Sequence, residues 1–527
     1  ILTYNLLLPY DQKLELMAGM TYNHELLQNL NGTAKGGPTN SIKYAGEGWP
    51  SLFNDNGTIR AAQSFGTDKQ EQSMVSFLGR AAYSYKKRYM AELSIRSDGS
   101  SVFGKDVRWG TFPSVGLGWA FSEEAFMKKL WWLSFGKIRA SWGKSGQKFQ
   151  EPYLALGIMS ESNVFNGSLG LIPQDMANPK LTWEESDQYD LGLDLQMLDY
   201  RLKLKLDYYY KYSSKLLMQS YLPGNVFLAS RMWDNASAIS NEGIEFEASY
   251  DIIRNKKWNW TVGFNLSHNR NMLRKTYNGE DLNDKVLGRP VYGIYTYKDE
   301  GIVQREEDIP MYRNASGKLM PLYFQSANNP LRVGGRKIKD QNYDGVIDDK
   351  DLYYAGSTLP AAYGGLNSHL EWNGFSLDLL FSYTLGRKVM NMVKNSAFSF
   401  TKEFGVIMNK FNIHDFWTTN NRNAKYPSLE FADKDYIGQF DGNVDSNIET
   451  ISFLRLKQLV LGYKFPQNWL KKTFIKEANL YLSGENLFLL TNYSGVDPEV
   501  IDPYTGKDDG REYPLNRKIT LGVNLKF

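Results

Sequence analysis

A twelve-residue stretch, DQNYDGVIDDKD at 340–351, carries oxygen-bearing groups at the spacing of a calcium-binding loop. Calcium is a hard cation that takes roughly six to eight oxygen ligands, and this spacing wraps one chain segment round it. Gly345 stands where such a loop turns sharply, and Ile347 stands where it has an apolar anchor. The predicted ligands are the side chains of Asp340, Asn342, Asp344, Asp348 and Asp351 and the backbone carbonyl of Val346.

The last ligand position departs from helical calcium sensors, which carry Glu where this chain has the shorter Asp351. The alternative is a solvated acidic turn rich in Asp, Asn and Gly. Because the five key positions at Asp340, Asn342, Asp344, Gly345 and Asp348 match, the sequence favours a structural Ca²⁺ that stiffens a long loop and has no catalytic duty.

Other residues that support catalysis in enzymes do not form recognisable sites. The four histidines, His24, His268, His369 and His414, are scattered and lack zinc-ligand spacing. The GKS at 143–145 lacks the preceding glycine of a phosphate loop, and no glycine-flanked serine of the hydrolase type occurs. We therefore predict that the protein is not an enzyme.

Composition excludes several further classes. The chain has 61 basic and 58 acidic residues, so its net charge of +3 favours no nucleic-acid partner. It has no cysteine, which excludes disulfide scaffolds and thiolate metal sites. No run of about eighteen apolar residues occurs, which excludes helical membrane spans and leaves strand-built ones open.

A period-two pattern recurs along the chain and predicts strands with one apolar and one polar face. In WNWTVGFNLS, Trp258, Trp260 and Phe264 share a face opposite Asn259 and Thr261. The final stretch, RKITLGVNLKF, alternates in the same way. Segments of this kind number about fifteen, near residues 1–7, 12–23, 73–84, 90–97, 113–121, 136–143, 187–196, 200–211, 241–252, 258–268, 361–371, 375–385, 451–464, 477–487 and 516–527.

The connections between these strands alternate in length. Short links, including the type I′ hairpin signature Asn373-Gly374, take turns with long loops at about 24–72, 144–186, 269–360 and 386–450. A soluble sandwich also alternates polar and apolar residues, but it lacks this two-sided asymmetry. The fold class predicted is therefore all-β: a transmembrane antiparallel β-barrel. A slip of phase in LRLKQLVLGY adds a β-bulge near Gln458.

Several motifs, in order along the chain, resemble the SusC-like TonB-dependent transporters of Bacteroidetes outer membranes. They run from RSDGSSVFGKDVRWGTFPSVGLGWAFSEEAFMK at Arg96 through NPKLTWEESDQYDLGLDLQMLDYRLKLKLDYYYK, SNEGIEFEASY, DQNYDGVIDDKDL and FLRLKQLVLGYKFP to YLSGENLFLLTNYSGVDPEV. The resemblance implies a barrel of about 22 strands, so residues 1–527 would be its C-terminal portion with about fifteen of them. The first strands, the plug and the segment that contacts TonB would then lie upstream.

The resemblance also implies a function and partners. Such proteins import oligosaccharides or oligopeptides across the Gram-negative outer membrane, energised through the TonB complex, with a SusD-like surface lipoprotein as lid. Aromatic and polar residues of the long loops would suit that lid or the ligand, although no substrate-binding residue is singled out. The alternatives are a passive porin or surface binding barrel and a soluble calcium-loop β-protein that binds glycans.

Particular side chains receive expected roles within this barrel. Phe527 resembles the C-terminal aromatic residue by which outer-membrane barrels are recognised for assembly, with Ile519 to Phe527 facing lipid. A hydrated wall is expected inside the barrel, made by Arg139, Lys203, Lys205, Glu245 and Glu247. Four residues in loop motifs, Asp98, Arg108, Asp497 and Glu499, are expected to organise the loops.

Overall fold

The chain folds mainly as β-strands. The computed structural model describes residues 1–34, 63–165, 168–223, 225–227, 229–282, 285–326, 328–393, 412–432, 443–471 and 473–527. Fifteen strands pair as neighbours in one sheet. They are β1 Leu2–Leu8, β2 Gln12–Ala34, β3 Gln63–Tyr85, β4 Tyr89–Ser100, β5 Trp109–Trp119, β6 Leu133–Gln147, β7 Glu184–Met197, β8 Leu202–Tyr221, β9 Arg231–Arg254, β10 Trp258–Lys275, β11 Ala362–Trp372, β12 Phe375–Asn391, β13 Ile448–Lys464, β14 Glu477–Thr491 and β15 Lys518–Lys526.

The strands follow one another in chain order, so the predicted all-β antiparallel meander of about fifteen strands is confirmed. The hairpin between β11 and β12 turns on Asn373 and Gly374, whose φ angles are 46° and 88°. Two consecutive positive φ values are the mark of a type I′ turn, as the Asn-Gly pair predicted. A short strand at Lys507–Asp508 also pairs with β12, in parallel.

The register of β10 to β15 collects apolar side chains on one face. Successive cross-strand partners form an apolar row of Trp260, Leu370, Leu377, Leu461, Leu482 and Leu521. The next row on the other face is Asn259, Glu371, Ser376, Gly462, Tyr481 and Gly522. Exposed fractions of 47% for Leu461 and 71% for Leu521 show that the apolar face is uncovered, as a lipid-facing surface is.

The predicted bulge occurs where the phase slips. In the pairing of β12 with β13 the register shifts between Leu456 and Gln458, which leaves Lys457 without a partner position. The pairing of β13 with β14 shifts at the same place. The extra residue keeps Leu456 and Leu461 on the apolar face although they are an odd number of positions apart.

The strands run further than their apolar pattern indicated, so the predicted loop boundaries need correction. Strand β2 continues to Ala34 and β3 begins at Gln63, which places much of the predicted loop 24–72 in a strand ladder. Similarly, β6 continues to Gln147 and β12 to Asn391. These extensions are rich in polar residues and lack the apolar alternation that predicts a strand. Backbone pairing nevertheless continues through them, because ladder hydrogen bonds do not depend on the side chains. The loop residues 35–62, 394–411 and 433–442 lie outside the described part.

The long connections contain short secondary structure of their own. Hairpins and small two-stranded sheets are formed by Ile158–Phe165 with Ser168–Asp175, Gly293–Thr296 with Tyr353–Ser357, Asp299–Ile302 with Arg336–Ile338, Met311–Arg313 with Leu319–Pro321, and Tyr323–Phe324 with Val346–Ile347. The helical pieces are Lys105–Val107, Phe121–Glu123, Leu154–Leu156, Glu306–Asp308, Asp349–Asp351, Ile413–Asp415, Leu429–Ala432, Asp445–Asn447 and the α-helical Gln467–Leu470. Among the described residues no helix is long and apolar enough to cross a membrane.

Two compact units can be distinguished within the chain. The first comprises Ile1–Leu117, Ser141–Gln188 and Tyr212–Ala238, and the second comprises Gly118–Ala140, Tyr189–Lys211 and Ile239–Phe527. The core of the first unit packs the rings of Phe103, Phe149 and Trp183, with centroids 4.7 to 4.9 Å apart. The main core of the second lies among the connections, with Val303, Leu322, Phe324, Leu331, Ile338, Ile347 and Val444 buried together.

Candidate functional site: polar wall and long loops

The polar face of the sheet carries ion pairs that reach across strands. Arg139 on β6 donates to Asp194 on β7 at 2.9 Å and to Asp207 on β8 at 2.6 Å. The second contact passes over Gly192 of the middle strand, where an added Cβ would lie 2.5 Å from the Arg139 guanidinium carbon. The absence of a side chain at Gly192 therefore makes room for Arg139 to pair with Asp207.

A similar arrangement occurs in the first unit. Arg80 on β3 pairs with Glu92 on β4 at 2.7 Å and with Glu15 on β2 at 3.2 Å. In the second unit, Lys205 on β8 pairs with Glu247 on β9 at 3.1 Å. In each cluster the opposite charges nearly cancel and the side chains stay partly hydrated. Each cluster therefore provides a rigid polar surface.

The predicted wall residues thus have different surroundings. Arg139 is half-buried in a three-residue cluster, and Lys205 and Glu247 form an exposed pair. Lys203 and Glu245 are also exposed. We call this set, with Asp194 and Asp207, the polar wall.

A compact loop body is built around the buried cluster of the second unit. The segment that enters β13 joins it through the parallel bridge between Tyr297 and Val444. Asp445 then accepts hydrogen bonds from the Lys298 ammonium at 2.6 Å and from the Tyr353 hydroxyl at 2.7 Å. Burial alone would raise the pKa of Asp445, but these donors outweigh it and hold that pKa below the usual range.

The acidic loop 340–351 is folded onto this loop body. The Asp340 carboxylate accepts the backbone N–H groups of Tyr343 at 2.7 Å and Gly345 at 2.8 Å. Asp351, which is fully buried, accepts those of Gln341 at 2.7 Å and Asp348 at 2.8 Å. Two carboxylates near the ends of the loop therefore hold its backbone. Burial raises the pKa of Asp351 above the ordinary value, although the N–H donors oppose the rise.

The remaining predicted ligands have other surroundings. Asn342 donates to Asp344 at 3.0 Å, and Asp348 caps the short helix Asp349–Asp351 by accepting from Lys350 at 2.9 Å. Val346 pairs with Tyr323 in the two-residue parallel ladder. Ile347 is fully buried, as expected for the apolar anchor. Gly345 has a φ of +90°, and an added Cβ would collide with the Tyr312 ring, so this position requires glycine.

No group of three or more acidic, histidine or cysteine side chains in the described ranges is arranged to hold a metal ion. The side chains of the acidic loop point mainly to backbone N–H groups. Ca²⁺ binding at this loop stays a prediction, and its test is given below.

Buried arginines anchor the loop that precedes β15. Arg455 donates to Asp497 at 2.5 Å and contacts Glu499, which also pairs with Lys457 at 2.7 Å. Asp497 in addition accepts the N–H groups of Glu499 and Leu515. These contacts agree with the expected roles of Asp497 and Glu499 as loop organisers.

A second buried arginine, on β12, has backbone carbonyls of the loops as partners in place of carboxylates. Arg387 is 9% exposed and donates to the carbonyl oxygens of Thr358, Pro498, Ile501 and Asp502 at 3.1 to 3.4 Å.

In the first unit, Asp98 accepts from Arg96 at 2.8 Å, and the backbone carbonyl of Arg108 accepts from Trp183 at 2.9 Å.

The C-terminal residue lies beside the short connection between β13 and β14. The rings of Phe527 and Phe474 are stacked, with centroids 5.5 Å apart and planes 13° from parallel. Phe527 remains 62% exposed. This placement leaves its ring accessible, and its role in assembly stays a prediction.

The sequence did not point to three residues that organise the polar wall and the loops: Gly192, Arg387 and Asp445. Their partners lie far away in the chain, as in the 147 residues that separate Lys298 from Asp445. Gly192 left a faint signal, because a glycine interrupts the polar face of the strand pattern YDLGLDL.

Comparisons with known proteins agree with this architecture. The family model described as TonB dependent receptor-like, beta-barrel, matches residues 3–487. TonB-dependent receptor P26 of Formosa agariphila is 31% identical over 504 residues, covering 91% of this chain and 48% of that protein. TonB-dependent receptor SusC of Bacteroides thetaiotaomicron is 28% identical over 492 residues, covering 92% and 46%.

Solved structures share the fold. The RagAB peptide importer in its open-open state aligns with a TM-score of 0.79 at 22% identity, over 100% of this chain and 54% of that one. The chain thus spans about half the length of the relatives it matches.

A long antiparallel meander with one uncovered apolar face and one polar face defines the β-barrel class of outer-membrane proteins. Within that class, the chain belongs to the TonB-dependent receptor β-barrel family and is SusC-like. It is accordingly an outer-membrane protein of the Gram-negative Bacteroidetes type.

Proposed function

We propose that the protein containing this chain imports oligomeric nutrients across the outer membrane and is energised through TonB. The observation that carries the proposal is the family match over residues 3–487. The polar wall supports it, because paired charges give a hydrated surface without a strongly attractive site that would trap a passing solute. The contact with TonB is assigned to the upstream part expected from the resemblance.

The proposed substrate is an oligosaccharide or an oligopeptide, delivered with a SusD-like lipoprotein as lid. Exposed tyrosines in the loops support this assignment, among them Tyr343 at 78% and Tyr513 at 91% exposure. Phenol rings stack on sugars and donate hydrogen bonds to hydroxyl or peptide groups. RagAB is described as a peptide transporter, which is a statement about that protein.

Uptake by cells tests active import against the passive porin. Cells carrying the full-length gene are given labelled oligosaccharides and oligopeptides, with and without a protonophore that removes the energy source of TonB. Active import predicts that these cells take up more label than a deletion strain does. The protonophore should abolish this additional uptake. Uptake that persists unchanged under the protonophore would support the porin and refute the proposal.

Purification tests the partner and the substrate class. The full-length protein is extracted with mild detergent from its native membrane and the bound material is identified by mass spectrometry. A co-purifying surface lipoprotein with bound glycan or peptide is expected. Isolation without any lipoprotein, even after cross-linking of intact cells, would refute the proposed lid.

We further propose that the acidic loop 340–351 binds Ca²⁺ as a structural ion. The spacing of its oxygen-bearing residues and the burial of Ile347 support this, since a calcium loop needs an apolar anchor. The ion would stiffen the loop body and supply no chemical step.

A further inference from the structure

The sequence contains four Lys-Lys pairs, and the first lysine of each lies in a connection between consecutive strands. They begin at Lys86, Lys128, Lys256 and Lys471, between β3 and β4, β5 and β6, β9 and β10, and β13 and β14 respectively. An aromatic residue stands within three positions of each pair. In an antiparallel meander alternate connections belong to the same edge of the sheet, so the pairs that begin at Lys128, Lys256 and Lys471 recur along one edge of the second unit.

Basic pairs near the loop end are engaged by the protein itself. Arg336 pairs with Asp299 at 2.7 Å, and Lys337 lies 3.8 Å from Glu300. Lys388 donates to the carbonyl of Ala355 at 2.7 Å. These cations therefore stabilise the loops.

The pair at Lys256 and Lys257 behaves differently. Both residues are exposed, and among the described residues neither forms an ion pair. Arg254, the last residue of β9, pairs with Asp199 at 2.9 Å, so a carboxylate is within reach of this turn. Two adjacent ammonium groups in the turn thus remain available to an anion from outside the chain.

An aromatic groove begins next to this turn, on the apolar face. Trp258 stacks on Trp372 with ring centroids 5.2 Å apart, and the ring centroids of Phe375 and Tyr463 are 4.5 Å apart. With Leu370, Leu461 and other aliphatic side chains, these rings line a groove of about 420 Å³. Tryptophan and tyrosine favour the level of lipid headgroups, so the groove crosses the boundary between headgroups and acyl chains.

We propose that Lys256 and Lys257 bind the phosphate of an anionic phospholipid whose acyl chain occupies the aromatic groove. The lipid belongs to the leaflet that the short turns face, which is the periplasmic one in barrels of this class. Lysine is a compact point charge on a flexible stem, which suits a mobile phosphate. The inference rests on the membrane location and is independent of which nutrient is transported.

Lipid retention measures this site directly. The full-length protein in detergent is mixed with equal amounts of phosphatidylglycerol and phosphatidylcholine, and bound lipid is counted by native mass spectrometry. Phosphatidylglycerol is expected to be preferred. Replacing both lysines with glutamine (K256Q/K257Q) should reduce that preference by at least about five-fold, the loss expected for one lysine near an anionic surface.

Two control variants separate this site from overall charge. K318Q/K507Q removes two exposed loop lysines and should leave lipid preference unchanged. K256R/K257R keeps the charge and should retain the preference even if K256Q/K257Q assembles poorly. A third variant, W258L, should shorten lipid retention without removing the preference for an anionic headgroup.

Three outcomes would overturn the proposal. The first is equal retention of the two lipids by the unaltered protein, and the second is an equal loss of preference in K318Q/K507Q. The third is displacement of phosphatidylglycerol by equimolar lipid A, since that phosphorylated lipid belongs to the opposite leaflet.

Discussion

At the scale of single residues, the polar wall depends on a missing side chain. Arg139 reaches Asp207 only by passing over Gly192, where a Cβ would lie 2.5 Å from both the guanidinium carbon and an Asp207 oxygen. The ion pair and the glycine are therefore one structural feature.

Gly192→Ala is expected to lower the free energy of unfolding by about 1–3 kcal/mol, because the added methyl group displaces Arg139 and overpacks the wall. Stability is measured by electrophoresis after heating, as the temperature at which the band of the folded protein is lost. Gly116→Ala is the matched control, since nothing lies within 4 Å of its added Cβ. Equal losses in the two variants would contradict the role assigned to Gly192.

Asp445 gives the loop body a dependence on pH with a definite sign. Its pKa is lowered in the folded protein, so its contribution is fully present above the ordinary aspartate value of 3.8 and is lost as the pH falls through the lowered value. Asp445→Asn should speed amide exchange of residues 443–447 near neutral pH by an amount equivalent to about 1–3 kcal/mol. The difference from the unaltered protein should shrink once the pH is below the lowered value. A difference that persisted there would contradict the charge-based account.

At the scale of elements, the acidic loop combines a calcium-like spacing with a backbone already held by Asp340 and Asp351. The backbone N–H donors hold the loop in shape without a cation. Burial disfavours the ionised form of its carboxylates, and an added cation would neutralise their charge. The raised pKa of Asp351 has the same origin. Its ionisation weakens the fold as the pH rises through that raised value, and a bound Ca²⁺ would offset this cost.

Calcium is expected to slow proteolysis of the segment 293–357 and to raise the apparent unfolding temperature. At a concentration of about 100 times the dissociation constant, a site present only in the folded state gains about 2.7 kcal/mol. Asp344→Ala should abolish the calcium effect, whereas Asp349→Asn, at an exposed position that is not a predicted ligand, should retain it. No difference between calcium and a chelator in the unaltered protein would refute the site.

At the scale of the whole molecule, the last strand ends at Lys526 and is followed by the C-terminal ring of Phe527. Phe527 stacks on Phe474 and remains 62% exposed, so its ring is accessible from outside the chain.

Phe527→Asp is expected to lower the amount of assembled protein in the outer membrane several-fold, because it removes the terminal aromatic ring and puts a charge on the lipid face. Membrane fractionation with heat-modifiable migration measures assembly. Tyr513→Asp introduces the same charge at a loop residue that is 91% exposed and should assemble normally. Normal assembly of Phe527→Asp would remove the role of Phe527 as an assembly signal.

Features set by neighbouring residues were predicted well. The turn at Asn373 and Gly374 and the bulge at Lys457 follow from short motifs, since a positive φ or a slip of phase is a local property. The end of β2 was placed too early and the start of β3 too late, because these polar extensions are held by ladder hydrogen bonds and show no alternation of apolar residues.

The alternating residues of each strand, the alternation of short and long connections and the ordered motifs were enough to predict about fifteen strands, an apolar lipid-facing side and the outer-membrane class. That information is local, because a strand has a period of two and a bilayer rewards a continuous apolar face. Tertiary structure alone decided that Arg139 meets Asp207 over Gly192, that Arg387 is held by four carbonyls and that Lys298 meets Asp445. Such contacts join distant segments, and they depend on register and loop packing that no single stretch of sequence contains.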